Sequence, residues 1–106
     1  MSSIPASSRA TVNHRAHGRC EWCGTPAPVG AWHHRRSRSV VDDHTHCPCN
    51  GVWLHHSCHQ YVHAHPVEAR RLGLIVSRYE ENPYVVPVEA AWGTRYHSCG
   101  GEVTYV

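Results

Sequence analysis

The sequence predicts one small α+β domain, in which a Cys- and His-rich core with a structural zinc knuckle precedes a β-rich C-terminal extension. Its 106 residues suit a single domain, 1–106. The first two thirds of the chain hold the helix signals and one short strand signal, and the last third holds the other strand signals, an order typical of α+β folds. Twelve His and six Cys supply many potential metal ligands.

The apolar content is low for a stable core. Phe is absent and Met occurs once, so four Trp and five Tyr are expected to supply most of the bulky packing. A core this thin needs a further source of stability. Structural zinc is the candidate, because zinc binding contributes folding free energy directly.

Cysteine usage bears on the compartment. The count is even, so a secreted disulfide scaffold is one interpretation. The N-terminal 20 residues, however, contain no apolar run that suits a signal peptide, and no stretch is long enough to cross a membrane. We therefore expect an intracellular protein, in which Cys-x-x-Cys indicates a metal knuckle rather than a redox motif, since no thioredoxin-like βαβ pattern is evident.

The basic residues point mildly towards a phosphate-bearing partner. All ten basic side chains other than His are Arg, and the formal net charge is +2. A planar guanidinium binds phosphate in a bidentate manner. Solvated surface Arg explains the composition equally well.

The N-terminal segment predicts a short helix. Residues 1–7 are expected to form a loose tail, and Ser7 or Ser8 to cap a helix that runs to about His17. Gly18 is expected to end this helix.

A strand, a loop and two helices are predicted next. The apolar step into paired histidines in "AWHH", residues 31–34, predicts a short strand, and the polar residues 42–50 predict a loop. Apolar spacing predicts a helix over 52–65 with an irregular first turn, and a second over 66–73. The extension 74–106 holds three β-rich stretches, "LIVSRY", "VVPVEA" and "RYHSCGGEVTYV", the last with a Gly-Gly hairpin signal.

Two ligand pairs predict a structural zinc site. Cys20-x-x-Cys23 and His55-x-x-Cys58 each place two side chains within reach of one tetrahedral ion. Cys49 is the alternative to His55, because thiolate is the commoner ligand, and reduced buried cysteines without metal are the simpler interpretation. Three cysteines keep no firm role in this scheme: Cys47, Cys49 and Cys99.

A second set of residues predicts a site with an exchangeable ion. His59 and His63 share one helix face, and on a strand His33 and His34 point to opposite sides, so one can bind metal while the other accepts a proton. A second structural zinc or a fortuitous arrangement are the alternatives. The remaining histidines are predicted to be solvated: His14, His17, His44, His46, His56, His65 and His97.

These residues resemble the HNH endonuclease family of the zinc-knuckle type. The stretches "CEWC", "HHRR" and "NGVWLHHSCHQYVH" reproduce that family's motif order over residues 20–63. His55 departs from the pattern, since it stands where the family usually has a Cys. The later stretch "HAHPVEARRLGLIVSRYEENPYVVPV" is similar to the tail of HNH proteins of tailed bacteriophages of actinobacteria.

The resemblance implies a ββα-metal core, also called a His-Me finger, with His34 as general base and Asn50 stabilising the loop and orienting that base. The catalytic ion, which would be Mg²⁺, Mn²⁺, Ni²⁺ or Zn²⁺, would be held by His33, His59 and His63. An ordinary His pKa, near 6.5, then predicts loss of activity in acid. Candidates for contacting DNA phosphates directly follow the paired histidines: Arg35, Arg36 and Arg38.

The leading functional prediction is a metal-dependent DNA endonuclease that nicks or cuts with little sequence preference, leaving 5′-phosphate and 3′-hydroxyl ends. By resemblance it would be phage-encoded, act in the host cytoplasm and assist genome packaging beside terminase. The alternative is a zinc-stabilised DNA-binding or adaptor module without cleavage. A homing or restriction-type nuclease is disfavoured, since little chain remains for a reading module. We expect one tightly held zinc and one exchangeable ion per chain.

Overall fold

The computed structural model describes residues 3–106 and has an α+β fold, which confirms the predicted class. Two antiparallel sheets lie within that range, one of order β1-β2 and one of order β3-β4-β5. The helices and strands are α1 (Ala6–Ala16), β1 (Ala31–His34), β2 (Gly51–Leu54), α2 (His56–Ala64), α3 (Pro66–Arg71), β3 (Val88–Ala90), β4 (Gly93–His97) and β5 (Val103–Tyr105). Short 3-10 turns occupy Pro48–Asn50 and Pro83–Val85.

Helix α1 begins before the predicted serine cap. Pro5 occupies the N-cap position without a side-chain cap, so the expectation that Ser7 or Ser8 caps the helix is wrong. The helix ends at Ala16, close to the predicted end, and is followed by two residues with positive φ, His17 at 55° and Gly18 at 71°. Of the predicted tail 1–7, residues 1 and 2 lie outside the described range and residues 6 and 7 are helical.

The helix predicted over 52–65 begins later than expected. Residues 51–54 form β2, antiparallel to β1, with Val52 opposite His33, and α2 starts only at His56. Val52 and Leu54 are fully buried. A strand places residues two apart on the same face, which a helix does not do, so burial of this pair favours β structure.

The C-terminal extension is β-rich only in its second half. Strands β3, β4 and β5 form a meander, and the predicted Gly-Gly turn joins β4 to β5. The stretch 74–79 forms no strand, contrary to prediction. Its backbone is used elsewhere, since Leu74 N–H donates to Ala69 O at 2.9 Å and Val76 N–H to Arg35 O at 2.9 Å.

Aromatic residues contribute less to the core than expected: Trp32 is buried and Trp22 and Trp53 pack against the main cluster, but the other large buried side chains are aliphatic residues and arginines. Tyr79 is 84% exposed and Tyr105 53% exposed, whereas Arg35 and Arg36 are the largest fully buried side chains. The main apolar cluster of buried residues comprises Cys20, Ala27, Val52, Leu54, Val62, Ala69, Leu74 and Val88.

A buried ion cluster ties α1, the loop after it and the C-terminal sheet together. The Glu21 carboxylate accepts from Arg15 Nε at 2.7 Å and from Arg95 Nη2 at 2.8 Å, and also from the Trp53 N–H at 2.8 Å. Arg95 Nε donates to His97 Nε2 at 3.0 Å. His97 is fully buried, so its prediction as a solvated residue is wrong, and burial together with the Arg15 charge lowers its pKa.

Among residues 3–106, none of the helices combines the length and apolar character needed to cross a lipid bilayer.

Candidate metal centre

Three groups of His and Cys lie in the described range, and within each group the ligand atoms are no more than 4.8 Å from one another. This confirms that the chain has metal-capable sites. The histidine trio is His33, His59 and His63; the cysteine trio is Cys20, Cys23 and Cys58; the Cys3His cluster is His44, Cys47, Cys49 and Cys99. The sequence predicts ligand sets that contain both trios, but no pattern in it predicts the Cys3His cluster.

The cysteine trio joins the loop after α1 to the first turn of α2. Cys23 N–H points to Cys20 Sγ at 3.4 Å, an arrangement that stabilises thiolate ligands in a knuckle. His55 lies outside this group: its Nδ1 contacts Ser57 Oγ at 2.7 Å and caps α2. Cys49, the predicted alternative, belongs to the Cys3His cluster. The structure therefore supports neither residue as the fourth ligand.

The histidine trio is assembled by β1 and α2. His59 and His63 lie one helical turn apart, with their Nε2 atoms 3.0 Å from each other. The His33 ring faces both, at centroid distances of 5.2 Å from His59 and 5.5 Å from His63. The three imidazoles are therefore close enough together to bind one metal ion.

A hydrogen bond fixes the tautomer of His33. Its Nε2 donates to the Leu74 carbonyl at 2.6 Å, since a carbonyl oxygen can only accept, and Nδ1 keeps its lone pair. Such a bond to the second ring nitrogen is usual for metal-binding His. Burial lowers the pKa of His33 to about 4, so the ring is neutral at neutral pH, as a ligand must be.

His34 lies beside the trio but outside it. Its Nε2 is 3.1 Å from His46 Nδ1, and its ring meets the edge of Trp32 at 4.6 Å between centroids. His46 was predicted to be a solvated residue and instead contacts the predicted base. No sequence spacing predicts this pair, because His46 lies in an irregular loop, where distance along the chain does not fix which side chains meet.

Burial, followed by the charge of Arg38, lowers the pKa of His34 to about 4. The expectation that His34 titrates near pH 6.5 is therefore wrong. The ring remains neutral, and able to accept a proton, well below that pH. A bound cation nearby would lower the pKa further.

Asn50 is fully buried and holds the loop between β1 and β2. Its Oδ1 accepts from Arg36 N–H at 2.7 Å, and its Nδ2 donates to the carbonyls of Arg36 at 3.3 Å and Thr45 at 3.1 Å. The first contact fixes the chain two residues after His34. The last fixes it one residue before His46.

Two of the three arginines predicted to contact phosphate are structural. Arg35 is 1% exposed and donates to the carbonyls of Gly73 at 2.8 Å, Cys49 at 2.9 Å and Val86 at 2.7 Å. Arg36 is also 1% exposed and pairs with Asp42 at 2.5 Å. Their assignment to DNA is wrong, because both guanidiniums are buried and donate to acceptors of the protein itself, out of reach of a phosphate.

Three exposed arginines instead line a cavity of about 590 Å³ at the histidine trio. The cavity is lined by the trio, by His34 and by three exposed arginines: Arg38, Arg70 and Arg78. Of the predicted group, Arg35 and Arg38 line the cavity, and of these two only Arg38 is exposed. An anionic ligand in this cavity would meet both guanidinium cations and imidazoles.

No family model matches this chain, and no curated protein or solved structure does either.

Proposed function

We propose that the chain is a metal-dependent endonuclease that hydrolyses phosphodiester bonds of DNA. The observation that supports it most is the convergence of His33, His59 and His63 beside a fourth imidazole, His34, which stays outside their group and lines the same cavity. A ligand set and a separate base are the two components that metal-assisted hydrolysis requires.

The number of ligands favours catalysis over a purely structural ion. Catalytic zinc sites typically have three protein ligands and keep one position for water or substrate, whereas structural sites have four. The trio supplies three imidazoles, and the cavity gives access to them. An ion held there would stabilise the negative charge that develops on the phosphoryl and departing 3′ oxygens.

His34 would act as the general base. In the tautomer of His34 whose Nε2 donates to His46 Nδ1, the lone pair of His34 Nδ1 is left to accept a proton from water. The water oxygen then forms a bond to phosphorus while the bond from phosphorus to the 3′ oxygen breaks. The products carry a 5′-phosphate and a 3′-hydroxyl, the latter completed by a proton from solvent.

The Arg side chains at the cavity would hold the DNA backbone. Arg38, Arg70 and Arg78 are exposed, and each guanidinium can grip phosphate oxygens. Phosphate contacts fix position without identifying bases, so cleavage would show little sequence preference. The ββα-metal assignment of β1, β2 and α2, the phage origin and a role in packaging beside terminase rest on the family resemblance and belong to the same proposal.

Plasmid nicking tests the proposal. We expect the wild type to relax supercoiled plasmid with Mg²⁺, Mn²⁺ or Ni²⁺, and His34→Ala to be slower by about 100-fold or more, the usual contribution of a general base. His14→Ala is the matched control, because His14 is an exposed α1 residue away from the cavity, and it should nick like the wild type.

Two outcomes would contradict the proposal. Equal nicking by the wild type and His34→Ala would remove His34 from the mechanism and point to a contaminating nuclease. A wild type that shifts DNA in a gel without nicking it under any of the three metals would favour the alternative, a zinc-stabilised DNA-binding or adaptor module.

A further inference from the structure

We infer that the Cys3His cluster is a second structural zinc site, which joins the C-terminal hairpin to the loop between β1 and β2. Three ligands, His44, Cys47 and Cys49, come from that loop, and Cys99 comes from the turn between β4 and β5. The site is separate from the histidine trio and from the cysteine trio. It does not depend on nuclease activity.

The ligand atoms already have the separations that zinc requires. Zn–S bonds of about 2.3 Å and Zn–N bonds of about 2.0–2.1 Å place sulfur and nitrogen about 3.6 Å apart around a tetrahedral ion. His44 Nδ1 is 3.6 Å from Cys49 Sγ and 3.8 Å from Cys99 Sγ. All four ligand atoms lie within 4.8 Å of one another.

The donor set selects the kind of ion. Three sulfurs and one imidazole suit zinc and other thiophilic ions, and they suit Mg²⁺ and Mn²⁺ poorly, since these prefer oxygen. Four protein ligands also complete a tetrahedron and leave no position for substrate. The histidine trio differs on both counts, because it has no sulfur and one ligand fewer.

Local backbone structure places the loop ligands. Cys47 N–H donates to His44 O at 3.2 Å, and the 3-10 turn that follows closes with Asn50 N–H donating to Cys47 O at 2.8 Å. These two consecutive turns bring residues 44, 47 and 49 to one side of the loop. Cys99 reaches them from a hairpin turn, and its carbonyl lies 4.0 Å from Cys47 Sγ.

An ion at this cluster would fix the part of the loop that contacts the predicted base. His46 lies between the ligands His44 and Cys47, and Asn50 directly follows Cys49. His46 contacts His34 at 3.1 Å. The zinc would therefore act as a positioning element for this contact without touching the reacting groups.

Zinc content per chain is the direct test. After mild chelation we expect two zinc ions in the wild type, one at the cysteine trio and one at the Cys3His cluster, and one zinc ion in Cys99→Ser. Ser98→Ala is the matched control from the same turn and should retain both. A Cys99→Ser protein that keeps the near-ultraviolet circular dichroism of the wild type and still holds two zinc ions would overturn the inference.

Thiol labelling of the wild type provides a second test that needs no variant to fold. Cys99 is exposed and Cys47 half-buried, so both would react readily with an alkylating reagent if no ion held them. We expect Cys47, Cys49 and Cys99 to be protected until a strong chelator is added. Equal labelling with and without the chelator, or a disulfide within this group in freshly purified protein, would refute a zinc site. Neither readout depends on DNA cleavage, so failure of the nuclease proposal remains distinguishable.

Discussion

Glu21 carries a carboxylate into the interior, where an isolated charge would be very costly. Two guanidiniums, those of Arg15 and Arg95, and the N–H of Trp53 surround it. The three side chains form one unit that is stable only when complete, because the removal of one partner leaves the others charged and desolvated.

Glu21→Gln is therefore expected to lower the free energy of unfolding by about 3–5 kcal/mol, the typical cost of breaking a buried ion pair. The amide keeps the size of the side chain but leaves two buried guanidiniums without a counter-charge. Urea denaturation followed by Trp fluorescence measures the change.

Glu89→Gln is the control, because Glu89 is exposed and its carboxylate accepts a hydrogen bond from Thr94 Oγ1 at 2.9 Å, which an amide oxygen can also accept. It should change the unfolding free energy by about 0.5 kcal/mol or less. A similar small effect for Glu21→Gln would mean that the ion cluster contributes little to stability.

Spacing along the sequence was sufficient to pair His59 with His63, because residues four apart on a helix share a face, and the family resemblance added His33 to this pair. It was insufficient for Arg35 and His46. Whether an arginine faces solvent or fills the core depends on which carbonyls the tertiary fold brings to it, and no local pattern carries that information. His44 was missed for the same reason, since its ligand partner Cys99 is remote in sequence.

At the level of elements, the hairpin of β1 and β2 depends on a close approach that only glycine permits. A Cβ on Gly51 would overlap the indole ring of Trp32. The same indole and the His34 ring are in T-shaped contact. The backbone of β2 thus sets the position of Trp32 and, through it, the surroundings of the predicted base.

Gly51→Ala is expected to destabilise the protein by about 1–3 kcal/mol, the usual cost of overpacking, because the Trp32 ring must shift. We also expect slower plasmid nicking, since Trp32 contacts His34. Thermal melting and the nicking assay measure the two effects.

Gly100→Ala is the comparison. The nearest atom to a Cβ there is the carboxylate end of Glu102, which is flexible, and the backbone is not left-handed. If Gly51→Ala melts at the same temperature as Gly100→Ala and the wild type, the Trp32 ring shifts without an energetic cost, and the prediction is wrong.

The boundary between β2 and α2 illustrates what a sequence pattern leaves open. Apolar positions at Val52, Leu54 and Cys58 are compatible with a helix as well as with a strand followed by a helix. Pairing with β1 decides between them, and pairing partners are distant in sequence. Strand β1 was predictable because it is short and flanked by turn residues.

The whole molecule combines a small apolar core with clusters of metal-capable side chains. A domain of this size buries a modest share of its surface, and structural zinc can contribute about as much free energy as a small domain has in total. The fold is thus expected to depend on bound zinc.

Chelation should separate two classes of ion. Mild chelation is expected to remove the ion of the histidine trio and abolish nicking while the melting temperature stays close to that of the untreated protein. A strong chelator in excess should abolish the cooperative thermal transition, and added Zn²⁺ should restore it. Calorimetry with parallel elemental analysis measures both effects. An unchanged thermal transition in fully metal-free protein would contradict a structural role for zinc.

The pairing of Glu21 with Arg95 has a consequence for biosynthesis. Arg15 and Glu21 are synthesised early, whereas Arg95 is added 74 residues after Glu21. Until then the Glu21 carboxylate of the nascent chain lacks its second counter-charge, and the ion cluster that joins α1 to the C-terminal sheet is incomplete. Chains whose synthesis stops before β3, β4 and β5 are made should therefore be degraded by proteases rather than persist as partly active fragments.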